Sequence, residues 1–158
     1  MAESYTIRAA TVGDAARVAE LSGVLGYPAE AEAVAGRLGR LLGEDDDAVL
    51  VAEAPNGEVA GWVHAAALEL LESGTSCEIM GLIVAPEHRD RGVGRGLIAA
   101  VEAWATGRGL TVLEVSSNVV RPEAHAFYER LGFERVKTQH EYCKRLPATG
   151  AQSERRRP

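Results

Sequence analysis

The stretch Ile79-Met80-Gly81-Leu82-Ile83-Val84-Ala85-Pro86-Glu87-His88-Arg89-Asp90-Arg91-Gly92-Val93-Gly94-Arg95-Gly96-Leu97 decides how this chain of 158 residues is read. Residues 79–84 are apolar and rich in β-branched side chains, and Pro86 ends the strand they form. Leu97, Ile98, Val101, Trp104 and Ala105 then recur at helical spacing, so the glycines fall at a helix N-terminus. There the first backbone N–H groups have no intrahelical partner, the macrodipole is positive, and missing Cβ atoms let an anion approach the main chain. A pyrophosphate fits that description.

Three phosphate-binding patterns compete for the stretch. A Walker loop ends in Gly-Lys-Ser/Thr, which is absent here. A dinucleotide fingerprint needs Gly-x-Gly-x-x-Gly, but Leu97 stands at the third position after Gly92 and Gly94. Glu114 does lie at a suitable distance for a ribose-binding acid, yet residues 86–91 separate the strand from the glycines, where such a turn follows its strand directly. The remaining pattern is Arg89-x-x-Gly92-x-Gly94. A second segment, Ala124-His125-Ala126-Phe127-Tyr128-Glu129-Arg130-Leu131-Gly132-Phe133, follows after a helix and a strand at residues 111–115.

The first pattern resembles the coenzyme A pyrophosphate loop of the GCN5-related N-acetyltransferases, the GNAT family. The second is similar to that family's Ala-x-x-Phe-Tyr-x-x-x-Gly-Phe signature, and the two occur in the family's order. The resemblance covers roughly residues 4–146, with its specific motifs in the second half. It implies an α+β fold: a mixed, mainly antiparallel central sheet of about six to seven strands with helices on both faces. It also implies acetyl-CoA as co-substrate, no metal, and direct transfer of acetyl to a primary amine in a ternary complex.

Composition is consistent with this. With 46% hydrophobic residues the chain can bury one sizeable core, and we expect a single acetyltransferase domain over residues 1–147 with a disordered tail at 148–158. A net charge of −6 offers no broad basic surface, so nucleic acid is not an expected partner. No apolar run is long enough to span a bilayer and the N-terminus lacks the features of a secretory signal, so no membrane partner is expected either. Cys77 and Cys143, both in expected strands and without Cys-x-x-Cys spacing, suit reduced thiols in the cytoplasm.

Ahead of the central stretch the sequence predicts a strand over 5–9, a capping arrangement at Thr11-x-x-Asp14, a helix with Val18, Leu21 and Leu25 on one face, and a second helix with Pro28 in its first turn. Strands at 48–53 and 58–68 flank Pro55-Asn56-Gly57, an Asn-Gly turn. Beyond the second motif, strands are expected at 133–137 and 140–146.

The resemblance assigns roles to individual residues. The backbone of Leu82, Ile83 and Val84 is expected to pair with the pantetheine arm where the central strand and its neighbour splay apart. Gly92 and Gly94, with the N–H groups of Arg91, Val93 and Arg95, are expected to hold the pyrophosphate, while Arg89 caps the turn or reaches a phosphate. Tyr128 matches the family's tyrosine acid, since a phenol stays protonated above a thiol's pKa and can give a proton to the departing sulfur. A backbone N–H near Leu82 or Ile83 polarises the thioester carbonyl. The base is read as Glu78, a carboxylate in an otherwise apolar strand, acting directly or through water, with His64 and His125 as weaker candidates.

The chain departs from the commonest family pattern at one place. Where many relatives carry Asn three residues before Ala124, Arg121 and Pro122 stand here, and Asn118 is the candidate for the missing amide contact. The acceptor is read as a small-molecule amine, aminoglycoside-like or polyamine, ahead of a peptide amine, with the acidic run at 44–47 as an attractor of cations. A homodimer is left open. The competing readings are a non-catalytic acyl-CoA-binding regulatory domain and a small nucleotide-binding module.

Overall fold

The computed structural model describes residues 4–148, so most of the expected C-terminal tail lies outside the described residues. The chain divides into two compact units, one running to Ser116 and the other starting at Ser117.

In the first unit five strands form one sheet in sequence order: β1 (Thr6–Ala9), β2 (Asp47–Glu53), β3 (Val59–Leu70), β4 (Gly74–Val84) and β5 (Leu113–Val115). The pairings β1–β2, β2–β3 and β3–β4 are antiparallel, and β4–β5 is parallel. Three helices accompany them: α1 (Ala15–Leu25), α2 (Ala31–Leu41) and α3 (Val93–Gly107). Pro28 precedes α2 instead of opening it, because the N-cap is Glu30.

Alternation along β3 sorts the two faces. Trp62 packs with Val49, Val51 and Ile83 against Leu21, Val18, Val34 and Leu38 of α1 and α2. Gly61 faces the other way, where a Cβ would stand 3.4 Å from Leu97 Cδ1 of α3. Helices therefore cover both faces. Burial of Leu21, Leu97, Ile98 and Val101 stabilises the two layers by about 1.5–3 kcal/mol per side chain.

The sheet is tight at Gly61. An added Cβ would lie 2.7 Å from the Ile83 carbonyl oxygen, a backbone atom of the neighbouring strand. Gly61→Ala is accordingly expected to destabilise the protein by about 1–3 kcal/mol, read as a lower urea midpoint at unchanged slope.

The start of α1 is fixed by charge. Arg8 forks onto Asp14, Nη1 to Oδ2 and Nη2 to Oδ1 at 2.9 Å each, and reaches Glu53 Oε2 at 2.7 Å. Asp14, buried, also accepts the Thr11 backbone N–H at 2.8 Å. The Arg8 guanidinium foremost, then the Thr11 N–H, outweighs desolvation and holds the Asp14 carboxyl below its ordinary value of 3.8. A carboxyl with a depressed folded pKa stabilises the native state above its unfolded pKa and loses that contribution as pH falls through the folded pKa. Asp14→Asn is therefore expected to cost about 2–3 kcal/mol at neutral pH and to reduce the stability lost on acidification below about pH 4, measured by urea titrations across that range.

The second unit contains α4 (Pro122–Arg130), followed after Leu131 by Gly132 in the left-handed region with φ of 92°. The strands expected at 133–137 and 140–146 are absent, so the sheet has five strands and not six or seven. Val136, Tyr142 and Leu146 are exposed there, and residues 133–148 join no ladder; alternation alone does not make a strand without a partner edge to satisfy its backbone. Cys143 consequently lies outside any strand and exposed, whereas Cys77 is buried in β4, where burial pushes its thiol pKa up.

Candidate active site

The central strand changes partners midway. On one side β4 pairs with β3 along its whole length, but the register slips at Met80: His64 opposes Gly81 and Ala65 opposes Ile79. On the other side β5 pairs only with Cys77, Glu78 and Ile79. From Met80 to Val84 that side of β4 has no partner strand among the described residues.

The bulge decides which backbone groups face this free side. Cys77 N–H donates toward β5, to Val112 O at 2.9 Å, while Ala85 N–H donates toward β3, to Ala60 O at 2.8 Å. Alternation inward from those two ends, with one extra residue at Met80, turns the N–H and C=O of Leu82 and Val84 to the free side and those of Ile83 to β3. Ile83 O against Gly61 agrees. Of the three residues read from sequence as the pantetheine edge, Leu82 and Val84 present backbone groups there; Ile83 contributes a buried side chain.

The free edge leads into the glycine turn. Pro86–His88 form a single 3₁₀ turn held from two sides: Tyr5 OH lies 2.9 Å from His88 Nδ1, and Arg17 of α1 donates to Glu87 Oε1 at 3.0 Å while also donating to Glu58 Oε1 at 2.9 Å. Glu58, Glu87 and His88 have the spacing of a metal-ligand group, but Arg17 already supplies their countercharge. Arg89 Nε donates to Val84 O at 3.3 Å, so this side chain caps the turn at the end of the free edge.

Asp90, at φ 61°, and Gly92, at φ 83°, take left-handed conformations and turn the chain into α3, whose first closing bond runs from Gly96 N–H to Gly92 O at 3.0 Å. The N–H groups of Val93, Gly94 and Arg95 precede that bond and have no intrahelical acceptor. Val93, Leu97 and Ile98 are buried and fix this terminus on the sheet, while Gly92, Arg91 and Arg95 are exposed.

Glu78 pairs with Ala66 and so shares the face of Trp62 and His64. It is half-buried and has no hydrogen-bond or ion-pair partner among the described residues. On the same face His64 Nε2 meets Asp47 Oδ1 at 2.7 Å, an ion-pair geometry. Asp46 in the same acidic run pairs with Arg108. The alternation of Trp62 and His64 marks their common face in the sequence, but the partnership with Asp47 needs the hairpin register.

In the second unit Tyr128 sits edge-on between Phe127 and Phe133, with ring centroids 5.2 and 5.4 Å away. Burial pushes its hydroxyl pKa above the ordinary 10.0, against a smaller downward pull from Arg121. Its hydroxyl has no hydrogen-bond partner among the described residues. Asn118 Oδ1 accepts the Val120 N–H at 3.1 Å, and its main-chain oxygen lies 2.8 Å from His125 Nε2, so Asn118 and His125 organise the turn into α4.

The model of the acetyltransferase (GNAT) family matches residues 18–133 of this chain, which include both the glycine turn and the Tyr128 segment. The chain belongs to the GNAT family. It is an acetyl-CoA-dependent N-acetyltransferase. This GNAT chain is 35% identical over 138 residues to an aminoglycoside N(6')-acetyltransferase type 1 of Stenotrophomonas maltophilia, across 85% of its own length and 89% of the relative's. Its fold matches that of the aminoglycoside N-acetyltransferase AAC(6')-Iy in complex with CoA, at a TM-score of 0.82 and 24% identity over 92% of this chain and 98% of the other. It is also similar to a structure described as a transcriptional regulator from Bacillus halodurans C-125, at a TM-score of 0.76 and 25% identity over 90% and 99% of the two chains. No helix among the described residues is long and apolar enough to cross a membrane.

Proposed function

We propose that this GNAT chain acetylates the primary amine of a small molecule, aminoglycoside-like or polyamine in character, by direct attack of the amine on acetyl-CoA held along the free edge of β4. The observation that carries the reading is the continuity of that edge with the donors at the start of α3. Leu82 and Val84 offer backbone groups that suit an amide-bearing pantetheine arm, and Val93, Gly94 and Arg95 offer N–H groups that suit a pyrophosphate. The exposed Arg91 and Arg95 add positive charge, and the Leu82 N–H is the donor placed to polarise a thioester carbonyl.

Glu78 brings a carboxylate to the face on which the amine is to be met. The Tyr128 hydroxyl, protonated at neutral pH, is read as the acid that gives its proton to the departing sulfur as the C–S bond breaks. The family match crossing both structural units supports a single catalytic domain, and the free thiols of Cys77 and Cys143 accord with the cytoplasm. The 35% identity to an aminoglycoside acetyltransferase supports the acceptor class. Calorimetric titration with acetyl-CoA, ADP, ATP and NAD, followed by a panel of aminoglycosides, polyamines and peptides scored by thiol release, tests the reading. Selective acetyl-CoA binding with release on a small polyamine or aminoglycoside supports it; equal binding of the nucleotides, or release on peptides alone, contradicts it.

A further inference from the structure

The α1/α2 face of the sheet carries a carboxylate–imidazole pair beside a cleft. The cleft, of about 140 Å³, is lined by apolar side chains of α1 and α2 together with Trp62, Arg37 and His64. The His64 and Asp47 side chains are 21% and 20% exposed, shielded enough to stay in contact and open enough to meet a small molecule. His64 lies opposite Gly81 in the β3–β4 register, one residue before Leu82 turns its N–H to the free edge. Cross-strand partners on one face lie about 5 Å apart, so the imidazole is one strand over from the residues that face the acyl group.

The hydrogen bond also fixes the chemistry. A carboxylate only accepts, so Nε2 carries a proton toward Asp47 and the neutral ring keeps its lone pair on Nδ1. Glu78, by contrast, has no partner to orient it, stands on the far side of the bulge and pairs in register with another carboxylate, Glu114.

Resting on the acetyltransferase reading above, we propose that the Asp47–His64 pair is the proton acceptor for the amine, with Glu78 left to attract its ammonium form. An ammonium N–H bond breaks and an Nδ1–H bond forms on His64, freeing the nitrogen lone pair. The C–N bond then forms at the thioester carbonyl as the C–S bond breaks. The second proton shed by nitrogen offsets the one that Tyr128 gives to sulfur, and His64 returns its own to water. Asp47 orients the ring and balances the imidazolium charge. The charged groups on this face around His64 are Asp47 from β2, Arg37 from α2 and Glu78 from β4.

The test is the pH profile of kcat and kcat/KM for the amine at saturating acetyl-CoA in His64→Gln, His64→Asn, Asp47→Asn and Glu78→Gln, with acetyl-CoA affinity as the control. Both His64 variants are expected to lose about 100-fold in kcat and the acidic limb of the profile, with acetyl-CoA affinity retained. Asp47→Asn, which removes the acceptor that orients the ring, lowers kcat with acetyl-CoA affinity retained. Glu78→Gln raises KM for the amine and keeps the limb. A His64 variant that binds acetyl-CoA and retains both kcat and the limb overturns this proposal alone, as does loss of the limb in Glu78→Gln. Unmodified protein that releases no thiol with any amine overturns the acetyltransferase reading and this proposal together.

Discussion

Replacing Gly92 with valine is expected to raise the Kd for acetyl-CoA at least 100-fold, about 2.7 kcal/mol, while the protein stays folded. Two effects combine at this one position. The residue holds φ at 83°, where an L side chain costs about 1–2 kcal/mol and a β-branched one is worse, so the turn relaxes and the first N–H groups of α3 lose their common aim. The added branches also stand beside the donors that are to meet a pyrophosphate. Stability should change far less than affinity, because a Cβ at Gly92 meets nothing within 4 Å and the helix start is anchored by buried Val93, Leu97 and Ile98. Calorimetry alongside a thermal melt separates the two. Unchanged affinity in a folded variant would place the pyrophosphate elsewhere.

Tyr128→Phe is expected to lower kcat by about 10²- to 10⁴-fold with the Kd for acetyl-CoA within about twofold of the parent. The substitution removes one oxygen that makes no hydrogen bond among the described residues and keeps the ring that packs on Phe127 and Phe133, so folding should be spared. Because burial raises the hydroxyl pKa above 10.0, the alkaline fall in kcat assigned to this group should lie above pH 10 in the parent and vanish in the variant. Stopped-time assays of thiol release at several pH values check both statements. A regulatory acyl-CoA-binding domain would be indifferent to the change.

Much of this was legible in the sequence where local chemistry determines structure. The strand, proline, glycine turn and amphipathic run of residues 79–105 emerged as β4, a 3₁₀ turn and α3, and the Asn-Gly turn placed the β2–β3 hairpin, because turn geometry and helix starts depend on a few adjacent residues. The expectation for Leu82 to Val84 was correct as a strand but too coarse by one residue. Only the pairing slip at Met80 reveals that Leu82 and Val84, not Ile83, face the free side, and a bulge leaves no mark in composition. The strands expected at 133–137 and 140–146 need a partner edge, which local sequence does not specify. In the sequence Asp47 is one member of an acidic run that attracts cations, yet in the structure it partners His64 across the hairpin. That partnership follows from the register set by the Asn-Gly turn, which fixes Val49 opposite His64 and Asp47 two residues further on. The Oδ1 of Asn118, the residue the sequence offers for the missing amide contact, accepts the Val120 N–H in the turn before α4.

Direct acetyl transfer is tested most squarely by initial rates of thiol release measured while acetyl-CoA and a primary amine are varied together. The account predicts release only when both are present, with double-reciprocal lines that intersect, as a ternary complex requires. Release that does not depend on the amine, or parallel lines reporting an acetylated enzyme intermediate, would contradict it.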